Sequence, residues 1–126
     1  MIAAVIEIDR WGSLLLERTR GGLALPVATS VPGESPDETA LRAFDDATGH
    51  VLEDVKLFRI FHGADRAGAI HVYYLDADLD AAILGDASRT FEYIAPAALP
   101  GAPLDATSRA ICEAFVSSPA YRALFH

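Results

Sequence analysis

At 126 residues and with an apolar fraction of 52%, the chain can bury a core without disulfides, and we expect one domain over residues 1–126. The net charge of −8 argues against nucleic-acid binding, and the sequence contains no run of about 18 apolar residues that would predict a membrane span. The single cysteine is typical of a reducing cytoplasm, and residues 1–9 lack the basic leader of a signal peptide, so we expect a cytoplasmic protein. One lysine against nine arginines, with abundant alanine, is typical of a GC-rich bacterial genome.

The first third of the chain predicts strands that lead into a helix. Alternating apolar residues predict a strand over residues 2–9, and a second strand over residues 13–18. Because Asp9 and Gly12 favour a tight reversal between them, we expect these two strands to form a hairpin. A flexible loop, a short extended piece and a lead-in to the helix are predicted over residues 19–22, 23–26 and 28–31.

The helix that follows has unusually clear ends. Ser35 is a good N-cap, Pro36 suits the first helical position, and Glu38 lies where a capping box needs an acid. Gly49 provides a left-handed stop after the last turn. The sequence therefore predicts a helix over residues 36–48.

The remaining elements alternate between strand and helix patterns. Strands are predicted over residues 55–61, 69–77 and 90–94, a hairpin loop over 63–68, an acidic loop over 76–86 with a helical turn at 81–84, and a turn over 96–100. Asp105 is the expected N-cap of a final helix that ends at Val116, and Pro119 begins a last short helix that ends near Phe125. This order predicts an α/β fold, an α/β/α sandwich with a mixed central sheet.

A spacing pattern surrounds the first predicted helix. The residues Glu34, Arg42, Phe44 and Gly49 lie at intervals that resemble the signature box of the Nudix hydrolases, G-x5-E-x7-R-E-U-x-E-E-x-G-U, where U is a bulky apolar residue. In this register the box covers about residues 28–50. It is degenerate, because Ala28 and His50 replace its first glycine and last apolar residue, and the three acidic positions after the arginine hold Ala43, Asp46 and Ala47. Leu25-Pro26, and Glu92 with the residues after it, extend the resemblance over nearly the whole chain.

The resemblance implies a Nudix-like fold and a known chemistry. Members of the family bind Mg²⁺ or Mn²⁺ at the box and hydrolyse diphosphates by attack of water on phosphorus. Acids at relative positions 0, 3 and 4 share one helix face, and hard cations prefer such oxygen ligands. Here Asp46 alone keeps a carboxylate, one methylene shorter than glutamate. Asp45 lies about 100° round the helix and does not replace a lost ligand.

The resemblance also implies roles for particular acids. Glu34, Asp46 and Glu92 are the candidate catalytic residues, and Glu34 and Asp46 would hold the metal if one binds. Each has a structural alternative. Glu34 could accept hydrogen bonds from backbone amides near the helix start, Asp46 could be a solvated surface acid, and Glu92 an ordinary strand residue rather than a water-activating base on a loop facing the box.

Three arginines are candidate substrate-binding residues: Arg18, Arg42 and Arg59. Arg18 and Arg59, like Arg20, would meet phosphates if they point at the cleft. Arg42 is implied to pair with a carboxylate that holds the loop, and it can also pair with Glu38 four residues earlier on the helix surface.

The sequence leaves three functions open. The first is a ligand-binding or interaction module with weak or no diphosphate hydrolysis and no required cofactor, whose ligand is a nucleotide or another phosphorylated small molecule. The alternative is a divergent Mg²⁺- or Mn²⁺-dependent hydrolase of nucleoside diphosphate derivatives that uses Glu34, Asp46 and acids from other loops, such as Glu38 or Glu92. The third is a structural subunit that dimerises through its sheet or terminal helix, so monomer and homodimer are both open.

Overall fold

The computed structural model of the chain describes residues 1–62, 68–75 and 89–124. In these ranges it contains seven strands, β1 (Ile2–Ile6), β2 (Leu14–Thr19), β3 (Gly22–Ala24), β4 (Val27–Thr29), β5 (Lys56–His62), β6 (Ala69–Tyr74) and β7 (Thr90–Ile94). The helices are α1 (Pro36–Thr48), α2 (Ala106–Val116), α3 (Pro119–Leu124) and a 3-10 helix, Pro96–Gly101. Residues 63–67 of the loop predicted over 63–68 lie outside the described residues. So do the last two residues of the strand predicted over 69–77, the acidic segment 76–86 with its helical turn, and the helix end near Phe125.

The strands form two sheets. The larger has the order β4-β1-β6-β5, in which β1 and β6 are parallel and the other pairs antiparallel. The predicted mixed central sheet is therefore confirmed. The smaller sheet has the order β3-β2-β7 and is antiparallel throughout.

The predicted hairpin of the first two strands is wrong beyond its tip. The Asp9 carboxylate accepts the backbone N–H groups of Trp11 and Ser13, both at 2.9 Å, and one isolated bridge joins Ile8 to Leu14. Beyond that bridge β1 and β2 belong to different sheets. Since β4 and β6 pair with the two edges of β1, no edge of β1 is left for β2.

Two short elements differ from the prediction. The stretch before α1 contains β4, an edge strand of three residues that pairs with β1. Three residues are too few to give an alternating pattern, so the sequence indicated only a lead-in to the helix. The predicted turn at residues 96–100 is a 3-10 helix that ends in Gly101.

Helices cover both faces of the central sheet. Ala3 and Val5 of β1 pack in one apolar cluster with Phe44 of α1, whereas Ala4 and Ile6 point to the opposite cluster, which α2 and α3 complete. This alternation along one strand produces the predicted α/β/α layers. None of the described helices is both long and apolar enough to cross a membrane.

Helix α1 begins and ends where the sequence predicts. The Glu38 carboxylate accepts the backbone N–H of Ser35 at 2.9 Å, and the two residues form the expected capping box with Pro36 in the first turn. Gly49 has φ 80° and donates its N–H to the carbonyl of Asp45 at 2.8 Å.

Candidate functional site

The Glu34 carboxylate accepts four hydrogen bonds. Its Oε1 accepts from the Val31 N–H at 3.2 Å, the Thr39 hydroxyl at 2.8 Å and Nη2 of Arg42 at 2.9 Å. Its Oε2 accepts from Nε of Arg42 at 2.9 Å. The Arg42 guanidinium, followed by the Thr39 hydroxyl, lowers the pKa of Glu34 to about 2. Arg42 also donates to the carbonyl of Thr29 at 2.7 Å, so this pair joins β4, the loop and α1.

The three positions after Arg42 that correspond to box acids differ in exposure. The Asp46 side chain is 62% exposed and lies 3.7 Å from Nη1 of Arg42, which pairs with Glu34 and Asp46 rather than with Glu38. Ala43 and Ala47 are only 2% and 0% exposed. Ala43 belongs to the apolar cluster between α1 and the central sheet. Two of the three positions are thus part of the core.

The described residues do not suit the divalent metal that the resemblance implies. In the ranges 1–62, 68–75 and 89–124, no group of three or more histidine, cysteine or acidic side chains could hold a metal ion. Ala43 and Ala47 have no side-chain ligand atom, and both oxygens of Glu34 already accept hydrogen bonds. Asp46 alone falls short of the several oxygen ligands that Mg²⁺ requires.

Arg18 and Glu92 form an ion pair on the smaller sheet, with 2.5 Å between Nη2 and Oε1. Along β7, Phe91 packs with the α1 cluster and Ile94 with the α2 cluster. Because side chains alternate between faces, Glu92 shares the face of Ile94 and points away from α1. The structure therefore does not bring Glu92 together with Glu34 and Asp46.

Arg59 lies on β5, at the edge of the central sheet, and its guanidinium carbon is 5.0 Å from the ring centroid of Phe58 and 5.6 Å from that of Phe61. Both rings contact the cluster on the α2 side. Arg59 is exposed on one edge strand of this sheet, whereas Arg42 donates to Thr29 on β4, the opposite edge strand. Since Arg18 lies on the smaller sheet, the three predicted substrate-binding arginines occupy three separate places.

The sequence did not predict an apolar groove between α2 and the central sheet. Two adjoining pockets, of about 240 and 210 Å³, share Ile70, Thr107 and Ile111 as lining residues. The first extends toward β4 and the start of α2, and the second toward Phe61 and His62. The space is open because the residues in the first turns of α2 are small, namely Ala106, Thr107 and Ala110. These small residues were the one feature of the sequence that could have indicated a groove here.

A second feature missed by the sequence reasoning is a clamp formed by Arg89 and Glu17. Nε and Nη2 of Arg89 donate to the two carboxylate oxygens of Glu17 at 2.7 and 2.6 Å, and Nη1 donates to the carbonyl oxygen of Asp46 at 2.7 Å. The guanidinium also lies 5.5 Å from the ring centroid of Phe91. No local pattern marks Arg89, because its partners are 72 and 43 residues away.

This architecture is the Nudix fold, a class in which a loop–helix–loop segment packs against a mixed sheet. The structure is similar to MutT, from a study of the Aliivibrio salmonicida and Vibrio cholerae proteins, with TM-score 0.77, 14% identity, and 93% of this chain and 95% of that chain covered. It is also similar to the Nudix domain of Shewanella oneidensis NrtR complexed with ADP-ribose, with TM-score 0.72, 16% identity, and coverage of 89% and 82%.

A third similar structure is that of a Chromobacterium violaceum protein described as a Nudix hydrolase family member, with TM-score 0.77, 16% identity, and coverage of 98% and 83%. At these identities the likeness establishes the fold and nothing further. No protein-family model matches the sequence, and no curated protein matches it.

Proposed function

We propose that this protein is a ligand-binding module that holds a nucleoside diphosphate derivative, such as ADP-ribose, without hydrolysing it at the box. The observation that carries this proposal is the state of the box. The box glutamate, Glu34, pairs with Arg42 and holds the loop, and Ala43 and Ala47 are buried where the family pattern has acids. The NrtR domain, of the same fold, is described as complexed with ADP-ribose.

The groove beside α2 supports the choice of ligand. Its walls are mainly aliphatic, with the hydroxyls of Thr107 and Ser108 and the carboxylate of Asp105 at one end. Such a surface suits an uncharged ring better than a phosphate, because a desolvated phosphate needs cations or several hydrogen-bond donors. The base or another apolar part of the ligand would therefore occupy the groove.

Arg59 supplies the charge that a phosphorylated ligand needs. It lies over Phe61, which lines the groove, it is exposed, and no acidic side chain within residues 1–62, 68–75 and 89–124 forms an ion pair with it. An anionic group at the β5 end of the groove would meet this guanidinium. In this arrangement Arg59 contacts the ligand, whereas Arg42 and Arg18 serve as structural cations paired with Glu34 and Glu92.

The test is calorimetric titration with ADP-ribose and, in parallel, adenosine, in a chelating buffer. We expect ADP-ribose to bind, and Arg59→Gln to weaken ADP-ribose about tenfold while leaving adenosine unchanged. Arg18→Gln is the matched control, because it removes an exposed arginine elsewhere. Thr107→Trp should fill the groove and abolish binding, whereas Glu113→Trp, on an exposed part of the same helix, should not.

Hydrolysis is tested separately with Mn²⁺ and product analysis. Robust turnover of a nucleoside diphosphate derivative, lost in Asp46→Asn, would overturn the proposal in favour of the divergent hydrolase. Binding that Thr107→Trp leaves intact would refute the groove as the site. If neither ADP-ribose nor adenosine bound, the proposal of a nucleotide-like ligand would be wrong.

A further inference from the structure

Strand β5 forms one edge of the central sheet. Among the strands within residues 1–62, 68–75 and 89–124, it pairs only with β6, so its other side presents backbone N–H and C=O groups to a further strand. The opposite edge is β4, which has three residues and therefore offers little to pair with. With seven residues, β5 is the edge on which a partner strand can form a ladder of hydrogen bonds.

One face of β5 is apolar and exposed. Leu57 lies opposite Tyr73, which packs in the apolar cluster beneath α1, so Leu57 is on the α1 side of the sheet. Ile60 lies opposite His71, two residues before Tyr73 on β6, and is therefore on the same side. Helix α1 packs on β1, β4 and β6, and Leu57 and Ile60 remain 52% and 41% exposed. Exposed apolar residues on a long edge strand favour pairing with another chain.

The other face of β5 is cationic. Arg59 lies opposite Val72, and its guanidinium lies over the Phe61 ring on the α2 side of the sheet. Lys56 lies opposite Tyr74, which belongs to the same side. Both cations are exposed, and β5 contains no acidic residue although the chain has a net charge of −8. The strand therefore presents apolar side chains on one face and positive charge on the other.

We propose that β5 is a docking strand for an extended segment of another protein in which acidic and apolar residues alternate. Successive side chains of a strand point to opposite faces, so such a segment places its apolar residues beside Leu57 and Ile60. Its carboxylates then lie beside Lys56 and Arg59. The backbone ladder contributes affinity, and the match of apolar and charged faces contributes specificity.

The charges on β5 favour an acidic partner over a second copy of this chain. Two β5 strands paired antiparallel about their middle would bring Arg59 opposite its own copy, and like charges directly opposite each other destabilise a strand pair. Two chains with a net charge of −8 each also repel one another. The β-bulge beside Arg59 and the exposed cations are features by which edge strands avoid pairing with their own copies.

Fluorescence anisotropy with labelled peptides tests this inference on the full chain, without nucleotide, so the result does not depend on the ligand proposed for the groove. The probe is the peptide EVEVEVE, and the matched control is EEEEVVV, which has the same composition and charge but no alternation. We expect EVEVEVE to bind and EEEEVVV to bind about tenfold more weakly, because several cross-strand pairs are lost. In ¹H-¹⁵N spectra, EVEVEVE should shift the amide signals of β5 and leave those of β4 unchanged.

Two exposed positions on β5 provide the variants. Arg59→Glu should weaken binding of EVEVEVE about fivefold, and Ile60→Thr, which keeps a β-branched side chain, about threefold. Arg20→Glu and Val31→Thr make the same changes at exposed residues outside β5 and should leave binding unchanged. The inference would be overturned by no binding of EVEVEVE, by equal binding of EEEEVVV, or by equal losses in the control variants. Light scattering that shows a dimer, dissociated by Ile60→Thr, would assign β5 to a second copy instead and would also overturn it.

Discussion

Restoring a carboxylate at Ala47 should strongly destabilise the protein. The side chain is 0% exposed, so Ala47→Glu adds four heavy atoms to a filled space, at a cost of about 1–3 kcal/mol. To enter this space uncharged at pH 7, the new carboxyl needs a pKa above 7 rather than about 4.3, which costs roughly 3.7 kcal/mol more. The expected loss is therefore about 5 kcal/mol, a large part of the 5–15 kcal/mol typical of a domain.

Urea unfolding followed by far-ultraviolet circular dichroism measures this loss. The folded-state pKa of the new carboxyl is raised, so its penalty is greatest above pH 7 and should shrink by about 2.7 kcal/mol on going to pH 5. Ala47→Gln has nearly the same volume and should show no such pH dependence. Asp46→Glu, at a 62% exposed side chain on the same helix, should change stability by less than about 0.5 kcal/mol. If Ala47→Glu matched Asp46→Glu, the burial of this helix face and the reasoning from it would be wrong.

Three further predictions concern other parts of the fold. The pKa of Glu34 is lowered to about 2 in the folded protein, so the stability that its ionised form contributes is present above its unfolded-state pKa and is lost as pH falls toward 2. In Glu34→Gln, the free energy of unfolding should therefore depend less steeply on pH between pH 5 and 2 than in the wild type, and an unchanged pH dependence would contradict this argument. Tyr121→Phe removes a buried hydrogen bond of 2.8 Å to the Gly12 carbonyl and should cost about 1–2 kcal/mol in urea unfolding, whereas equal stability would deny that bond any weight. Gly22→Ala should lower Tm by more than about 5 °C, because Gly22 has φ 113° and an added Cβ would lie 2.1 Å from the Pro103 carbonyl oxygen; an unchanged Tm would contradict this backbone approach.

The parts of the fold that depend on nearby residues were predictable from the sequence. Helix α1 has its capping box and its glycine stop within a few residues of its ends, and the predicted range of residues 36–48 matches the structure. The same holds for β7 and for the N-cap Asp105, whose carboxylate accepts the Ser108 N–H at 2.7 Å. By contrast, the sheet in which β2 lies depends on which distant strands occupy the edges of β1. No local pattern carries that information.

In the candidate site, too, the contacts between nearby residues were predictable and those between distant residues were not. The resemblance to the Nudix box implied that Arg42 pairs with a carboxylate that holds the loop, and the structure contains such a pair with Glu34. The direction of Glu92 could not be predicted, because a strand presents its two faces equally until its neighbours are known. Arg89 was missed for a related reason. Its function depends on Glu17 and Asp46, which the fold alone brings near it.

The buried alanines and the Arg89 clamp point to one consequence for ligand binding. Of the three box positions that hold acids in the family pattern, this helix keeps a carboxylate at Asp46 only, and the Arg89 guanidinium beside it is already neutralised by Glu17. A diphosphate bound as proposed must therefore find its counter-charge elsewhere, and Arg59 is the exposed arginine beside the groove. Attraction by one exposed guanidinium is screened over about 8 Å at physiological salt. Affinity for ADP-ribose should consequently fall with added NaCl but not respond to Mg²⁺. A diphosphate bound through a bridging metal ion would instead bind more tightly as the Mg²⁺ concentration rises. That result would refute metal-independent binding and indicate that the box holds the diphosphate through a metal ion.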